Sequence, residues 1–230
     1  MVKILLVSTS APSMGGNPTG LWLAELAEPY YLFKAAGFEI QIASTAGGAV
    51  PIDQNSMSGD FFTAEAKKFM HDPEAFGLLC HSSKVGDLNA SMYDCVYLTG
   101  GHGCCVDFVG IKAAGLVNMV QAAYATGKLV AADCHGPMGL IDCKKPDGKT
   151  PLVSGHKVTA FTNAEEAAVG ATDWVTGSSV LMEDKFKELG ATFSGGPDWG
   201  ANVVVDGKLI TAQNPGSAIA CAEKVIEMLK

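Results

Sequence analysis

Basic residues are scarce in this chain, and so are long hydrophobic runs. Lys and Arg together number 16 against 24 Asp and Glu, which gives a formal net charge of -8. A protein with this acidic balance is a poor candidate for binding nucleic acid or an anionic membrane. No apolar run approaches the length of a transmembrane helix. The apolar stretch near Met1 is too short for a signal peptide and lacks a cleavage site, so it predicts a first strand.

No two of the seven cysteines form a C-x-x-C motif, and their number is odd. With no secretory signal, we expect a reducing compartment, the cytoplasm (or also the nucleus in a eukaryote), and mostly free thiols. We expect the vicinal pair Cys104-Cys105 to be two packed thiols, because a disulfide between neighbours is strained. The spacing of His71, Cys80 and His81 fits no standard metal site, so we predict no metal.

The pattern of elements predicts an α/β fold. Short apolar strands alternate with helices, which is typical of a mostly parallel sheet covered by helices on both faces. The chain of 230 residues, 48% of them hydrophobic, is long enough to bury one large core. No repeat or shift of composition marks a boundary, so we expect a single domain over residues 1–230. The Asp206-Gly207 turn predicts a C-terminal hairpin.

The predicted helices are Leu21–Lys34 (with Thr19 as a possible N-cap and Gly37 as a stop), Phe61–Met70, Ala113–Ala125, Glu183–Leu189 and Ser217–Leu229. The predicted strands are Lys3–Val7, Glu39–Ala43, Val96–Thr99, Leu129–Asp133, Lys157–Phe161, Asn202–Val205 and Lys208–Thr211. We expect residues 71–91 to be irregular.

The most informative motif is Asp133-Cys134-His135-Gly136-Pro137, which follows an apolar strand. A strand that ends on Cys134 and turns at once into a helix holds a thiol at the tip of the sheet. The positive end of the helix dipole should lower the pKa of this thiol and make it a nucleophile. Adjacent side chains on an extended backbone point apart, so His135 can pair with the sulfur only if the chain turns sharply between them.

Three further elements carry candidate groups. Gly100-Gly101-His102-Gly103 follows another strand, where exposed N–H groups could stabilise an oxyanion, although an ordinary turn explains the glycines equally well. Glu165 and Glu166 stand at a helix start, where carboxylates are favoured in any case, or one of them orients His135. Spacing alone makes Glu25 a solvated residue of the first helix.

These motifs together resemble the ThiJ/PfpI superfamily, whose members have a flavodoxin-like fold of three layers. The resemblance covers essentially the whole chain, and its closest branch is the heat-shock chaperone class that acts as glutathione-independent glyoxalase. The matching segments are Glu25–Pro29, Ala43–Thr45, Pro51–Asp53, Gly100–Gly103, Ala132–Pro137, Val158–Phe161 through Glu166, and Ile210–Pro215.

The resemblance implies a role for each candidate. Cys134 would be the nucleophile, His135 its partner, and Glu166 the third member of the triad, with Glu165 as the alternative. A protonated Glu25 would touch the sulfur, which reverses the interpretation from spacing. The oxyanion element would lie at Gly100-Gly101, with the backbone of Gly101 and His135 as donors.

One departure concerns the residue before the nucleophile. The family usually has an apolar residue there, and this chain has Asp133. Alternation along the strand predicts that Asp133 faces away from the thiol and needs a buried partner. Cys104-Cys105 after the glycine turn is also unusual.

The implied activity is conversion of a small-molecule 2-oxoaldehyde such as methylglyoxal to lactate, without a cofactor. The resemblance also implies a homodimer. The alternatives are a holding chaperone that binds misfolded proteins, an oxidative-stress sensor in which Cys134 is oxidised, and a cysteine peptidase or amidase.

Overall fold

A seven-stranded sheet forms the centre of the fold, and the computed structural model describes residues 1–230. The strands of the structure are β1 (Lys3–Ser8), β2 (Ser13–Met14), β3 (Asn17–Pro18), β4 (Glu39–Ser44), β5 (Ser83–Lys84), β6 (Cys95–Leu98), β7 (Leu129–Asp133), β8 (Lys157–Val158), β9 (Thr192–Phe193), β10 (Val203–Asp206) and β11 (Leu209–Ala212). The order in the main sheet is β10-β11-β7-β6-β1-β4-β5. Six of these strands are parallel and only β10 is antiparallel, which confirms the predicted sheet and hairpin.

The helices are α1 (Ala24–Ala35), α2 (Ala64–His71), α3 (Pro73–Cys80), α4 (Cys104–Asp107), α5 (Ala114–Ala125), α6 (Asn163–Ala168), α7 (Thr172–Ser178), α8 (Met182–Glu188) and α9 (Ala218–Leu229). Side chains of α1, α2, α3 and α9 pack in one apolar cluster against the sheet, and those of α4, α5, α7 and α8 pack in another. Successive residues of β7 enter opposite clusters, as the period of a strand requires. The flavodoxin-like three-layer fold is therefore confirmed. None of the helices is both long and apolar enough to span a bilayer.

The first helix begins three residues later than predicted, and Thr19 is not its cap. Leu23 occupies the N-cap position of α1, while the Thr19 hydroxyl donates a hydrogen bond to Asp53. The backbone of Leu21 pairs with Pro51, and that of Trp22 bonds to Gly100. These tertiary bonds hold the segment extended and bring the start of α1 next to the end of β6.

Two other predictions are corrected. Residues 71–91 contain α3, which Asp72 caps by accepting hydrogen bonds from two N–H groups of its first turn, with Pro73 at the first helical position. The strand predicted at Lys157–Phe161 stops after Val158 and pairs with β9 outside the main sheet. Phe161 instead donates its N–H to the Cys134 carbonyl and so braces the turn after β7.

Candidate active site

Cys134 lies at a sharp turn directly after β7, at the carboxyl end of the sheet. Its φ of +52° is a left-handed conformation that residues with side chains rarely adopt. The turn brings the next ring back towards the sulfur, and His135 Nδ1 lies 3.3 Å from Cys134 Sγ. The strained backbone therefore creates the contact that an extended strand would prevent.

Glycine is required at two positions around this turn. A Cβ on Gly100 would collide with the Glu25 carboxyl group and the Cys134 side chain. A Cβ on Gly136 would collide with the Leu98 carbonyl oxygen. The glycines therefore let the ends of β6 and β7 and the first turn of α1 approach one another closely.

A buried carboxylate orients the imidazole of His135. Glu166, in the first turn of α6, lies 2.6 Å from His135 Nε2 through one oxygen and 3.1 Å from His102 Nε2 through the other. The two imidazole rings lie with their centroids 4.0 Å apart. The structure thus brings Cys134, His135 and Glu166 into one chain of contacts and adds a second imidazole.

The charges of this group follow from its surroundings. Burial raises the pKa of Glu166, but the adjoining His135 and His102 outweigh it and lower the pKa to about 2. Burial, aided by the neighbouring His102, lowers the pKa of His135. At neutral pH His135 is then uncharged and donates its Nε2–H to the ionised Glu166. The lone pair of Nδ1 faces the thiol and can accept its proton.

Glu25 reaches the other side of the thiol from α1 and is completely buried. Burial and the adjacent Asp133 raise the pKa of Glu25 well above its usual range, so its carboxyl group is protonated at neutral pH. Neither oxygen of Glu25 has good hydrogen-bond geometry to another group, although the carboxyl is close enough to Cys134 to affect its pKa. A proton held beside the sulfur with no other partner is available to the chemistry of the thiol.

The expectation that a helix dipole lowers the pKa of Cys134 is wrong. The segment after the turn is a five-residue 3-10 helix, Gly136–Leu140, which is too short for a strong dipole. Burial raises the pKa of the Cys134 thiol, and a charged Glu25 would raise it further. Because Glu25 is protonated, it can instead donate a hydrogen bond to the thiolate. Formation of a thiolate would require transfer of the thiol proton, and His135 Nδ1 is positioned to accept it.

Asp133 faces away from the pocket, on the α1 and α9 side of the sheet. It is fully buried, and Tyr97 donates a hydrogen bond of 2.7 Å to one oxygen, while the other lacks a partner with good geometry. Burial raises the pKa of Asp133 to about 8, although the bond from Tyr97 opposes this. Alternation along β7 predicts this orientation, and Tyr97 is the buried partner that it requires.

An Asp133→Asn variant is expected to weaken the dependence of stability on pH. The carboxyl of Asp133 has a folded pKa of about 8, far above the roughly 3.9 of an unfolded chain. Its contribution to stability is full below the unfolded pKa and is lost as pH rises through the folded value. Urea unfolding between pH 5 and 8 should show a slope smaller by up to about 1.4 kcal/mol per pH unit in the variant. An unchanged slope would show that Asp133 is ionised in the fold.

The thiol lies in a cavity of about 370 Å³ whose lining includes Gly101, His102, Cys134 and His135. The N–H groups of Gly101 and His135 donate no hydrogen bond within the protein. They are therefore free to bind an oxygen atom of a ligand.

Glu165, the alternative third member of the triad, does not contact His135. It caps α6 with Thr162 and accepts hydrogen bonds from the backbone N–H of Trp199 and from two side-chain amides, those of Gln213 and Asn214. Glu165 therefore holds together the chain segments that surround the pocket.

His102 and Trp199 are absent from the predicted site, although both line the cavity. A signal for His102 is present in the sequence, because it follows the glycines at the end of β6. Trp199 lies in a segment without regular structure far along the chain, and no pattern links it to Cys134.

The same group of side chains could also bind a metal ion. His102, His135 and Glu166 each offer a ligand atom, and these atoms lie within 4.8 Å of one another. Two imidazoles and a carboxylate suit zinc or a similar ion. In the structure the hydrogen bonds between His135, His102 and Glu166 use these atoms, and the absence of a metal stays a prediction.

All seven cysteines are free thiols, and Cys104 and Cys105 are both buried. The expectation of two packed thiols at this vicinal pair is therefore confirmed.

Comparison with known proteins identifies one family and relatives that match over nearly the full length of the chain. The pattern of the DJ-1/PfpI family matches residues 19–228. Glutathione-independent glyoxalase HSP31 of Saccharomyces cerevisiae is 32% identical, over 99% of this chain and 98% of that protein. The crystal structure of glyoxalase III from Candida albicans superimposes with a TM-score of 0.90 at 32% identity, covering 98% of this chain and 96% of that one. The crystal structure of Rapid Encystment Protein 24 kDa of Francisella tularensis superimposes with a TM-score of 0.93 at 36% identity, over the whole of both chains.

Proposed function

The chain belongs to the DJ-1/PfpI family, and on this premise we propose that it is a glutathione-independent glyoxalase that converts methylglyoxal to lactate. The observation that carries the proposal is the Cys134 thiol between a neutral imidazole and a protonated carboxyl group, on the floor of a small cavity. Relatives of similar length that bear the name glyoxalase support it.

The first step is attack of Cys134 on the aldehyde carbon of the substrate. His135 Nδ1 takes the thiol proton as the C–S bond forms, and Glu166 stabilises the imidazolium through Nε2. The aldehyde oxygen develops negative charge against the N–H groups of Gly101 and His135. Return of the proton to this oxygen gives a hemithioacetal.

The second step moves hydrogen from the former aldehyde carbon to the ketone carbon. A base removes the proton from C1 while the ketone oxygen takes up a proton, which gives an enediol. An acid then delivers a proton to C2 as the C1 hydroxyl group loses its own, which yields a thioester of lactate. Glu25 and His135 flank the sulfur and are the groups that can carry this proton. Water then hydrolyses the thioester and regenerates the thiol.

The atoms and electrons of this sequence balance with water alone. C1 is oxidised and C2 is reduced within one molecule, so the reaction needs neither glutathione nor a redox cofactor. We therefore propose a cofactor-free enzyme of the lyase class, acting as one domain over residues 1–230.

The test is an assay of purified protein with methylglyoxal, with and without glutathione, in the presence of a metal chelator. Lactate measured by NMR should exceed seven molecules per chain, since the seven cysteines can only scavenge stoichiometrically. Lactate that forms only when glutathione is added, or loss of methylglyoxal without lactate, would sink the proposal.

A Glu166→Gln variant is expected to shift the pH profile of kcat/KM. The amide keeps the shape of the side chain but removes the negative charge beside His135, so the pKa of His135 falls further. The acid limb of the profile should move about one to three pH units lower, and kcat should fall by about 10²-fold or more. An acid limb that stays in place would show that His135 is not the base.

A holding chaperone is a second candidate, because large apolar side chains are half-exposed at the mouth of the cavity: Phe61, Val169, Trp174 and Trp199. If the protein acts as a chaperone, a Cys134→Ala variant should protect a heat-denatured protein from aggregation as well as the wild type does.

A homodimer, implied by the family resemblance, is tested by light scattering.

A cysteine peptidase is less well supported. Cys134 is only 4% exposed at the base of its cavity, so an extended peptide cannot easily bring its carbonyl carbon to the sulfur.

A further inference from the structure

The cavity above Cys134 is much more aromatic than a three-carbon substrate requires. The chain has three tryptophans, and all of them line this one cavity together with two phenylalanines: Trp22, Trp174, Trp199, Phe61 and Phe161. Cavities of a few hundred Å³ suit ligands considerably larger than methylglyoxal, which has five heavy atoms. At about 370 Å³, the cavity would remain largely filled with water around that substrate.

A continuous wall of rings connects the catalytic imidazole to the mouth of the cavity. The ring centroid of Phe161 lies 4.7 Å from that of His135 and 5.8 Å from that of Trp199. Trp199 is 48% exposed, so the wall begins beside the thiol and ends in solvent. A planar group attached to the substrate would lie against this wall while its aldehyde reached the sulfur.

The backbone of Trp199 indicates that its position is specified. Only two residues other than glycine have positive φ, and these are Cys134 and Trp199, at +52° and +62°. The buried Glu165 holds the turn at Trp199 by accepting a hydrogen bond of 2.9 Å from the Trp199 N–H. A strained conformation persists only where its surroundings impose it, and such residues cluster at functional sites.

Trp22 adds a polar group to this lining. Its indole N–H is buried without a hydrogen-bond partner, and its ring makes an edge contact with Phe61 at 5.1 Å. An unpaired buried donor is costly unless a ligand satisfies it. The second carbonyl oxygen of a 2-oxoaldehyde is an acceptor of the required kind.

From these observations we infer that the enzyme's preferred substrates are 2-oxoaldehydes that carry an aromatic or similarly large planar substituent on the ketone carbon. The substituent lies on Phe161 and Trp199, and Cys134 attacks the aldehyde carbon. The inference rests on the proposed glyoxalase function and names its substrate class.

The test compares phenylglyoxal with methylglyoxal, by the formation of mandelate and lactate respectively. We expect kcat/KM to be about tenfold or more higher for phenylglyoxal, as burial of a phenyl ring against aromatic side chains would give. Phenylglyoxal also modifies arginine, but all 16 basic residues of this chain are lysines, so that side reaction cannot inactivate the enzyme.

Two variants at one position separate the ring from the fold. Trp199→Gly suits the positive φ and removes the ring. It should lower the ratio of kcat/KM for phenylglyoxal to kcat/KM for methylglyoxal by about three- to tenfold. Trp199→Phe retains a ring and should keep the ratio within about twofold. Melting temperatures of both variants show whether the fold is retained.

The outcomes distinguish the inference from the proposed function. Turnover of methylglyoxal with no preference for phenylglyoxal, or a ratio that Trp199→Gly leaves unchanged, overturns the inference and leaves the glyoxalase function standing. Turnover of neither substrate overturns both. A third measurement uses tryptophan fluorescence in a Cys134→Ala variant. Quenching by misfolded proteins but not by phenylglyoxal would assign the aromatic side chains of the cavity to chaperone binding and would also overturn the inference.

Discussion

A Cys134→Ala variant is expected to lose lactate formation almost completely, by roughly 10⁴-fold or more, because no other group in the cavity can form the covalent intermediate. The side chain is small and lies at the edge of the apolar cluster, so its loss should leave the fold intact. The measurement is lactate formed from methylglyoxal without glutathione, alongside thermal unfolding.

The matched control for this variant is Cys80→Ala. Cys80 is the one cysteine that is not buried, and it lies in α3 outside the cavity. The Cys80→Ala variant should keep full activity, although the Cys80 thiol of the wild type is the most accessible to solvent. Loss of activity in Cys80→Ala, or full activity in Cys134→Ala, would show that the chemistry does not depend on the turn after β7.

A Glu25→Gln variant is expected to separate the two possible roles of the protonated carboxyl. The amide can donate a hydrogen bond to a thiolate but cannot release or accept a proton. If Glu25 carries hydrogen between C1 and C2, lactate formation should fall by about 10²- to 10⁴-fold. Alkylation of Cys134 by iodoacetamide should continue, since the amide N–H can still donate a hydrogen bond to the thiolate. Glu25→Ala should reduce both rates.

Glu28→Gln is the matched control on the same helix. Glu28 is also buried, and burial raises its pKa to about 7. Unlike Glu25, Glu28 is not among the groups close enough to Cys134 to affect the pKa of its thiol, so its amide variant should keep normal turnover. Turnover in Glu25→Gln that equals that of Glu28→Gln would limit Glu25 to a structural role and leave His135 as the only proton carrier.

The sequence is most informative where local pattern and chemistry agree. The apolar run of β7, the Cys-His pair and the glycines that follow predict a thiol at a strand end, and the family resemblance adds Glu166 and Glu25. Spacing alone places Glu25 in solvent, because the pattern of α1 cannot show that the end of β6 covers that face of the helix. Gly100 makes this approach possible, and its contact with Glu25 is visible only in three dimensions.

Other features depend on contacts between distant segments. Thr19 resembles a helix cap but binds Asp53, because the segment before α1 is drawn to the loop after β4. Asp72 and Pro73 do form a recognisable helix start that the polar character of residues 71–91 obscures. The pKa of Cys134 depends on burial and on the proton held by Glu25. The predicted helix dipole is weak because the segment after the turn is a short 3-10 helix and not an α-helix.

The central claim, that Cys134 carries the substrate, is tested most directly by trapping the protein during turnover. Wild-type protein is quenched with acid in the presence of methylglyoxal, and its peptides are mapped by mass spectrometry. We predict an adduct with the mass of one methylglyoxal on the peptide that contains Cys134, as hemithioacetal or lactoyl thioester. Lactate formed at the full rate by a Cys134→Ala variant, or adducts confined to Cys80 in the wild type, would contradict it.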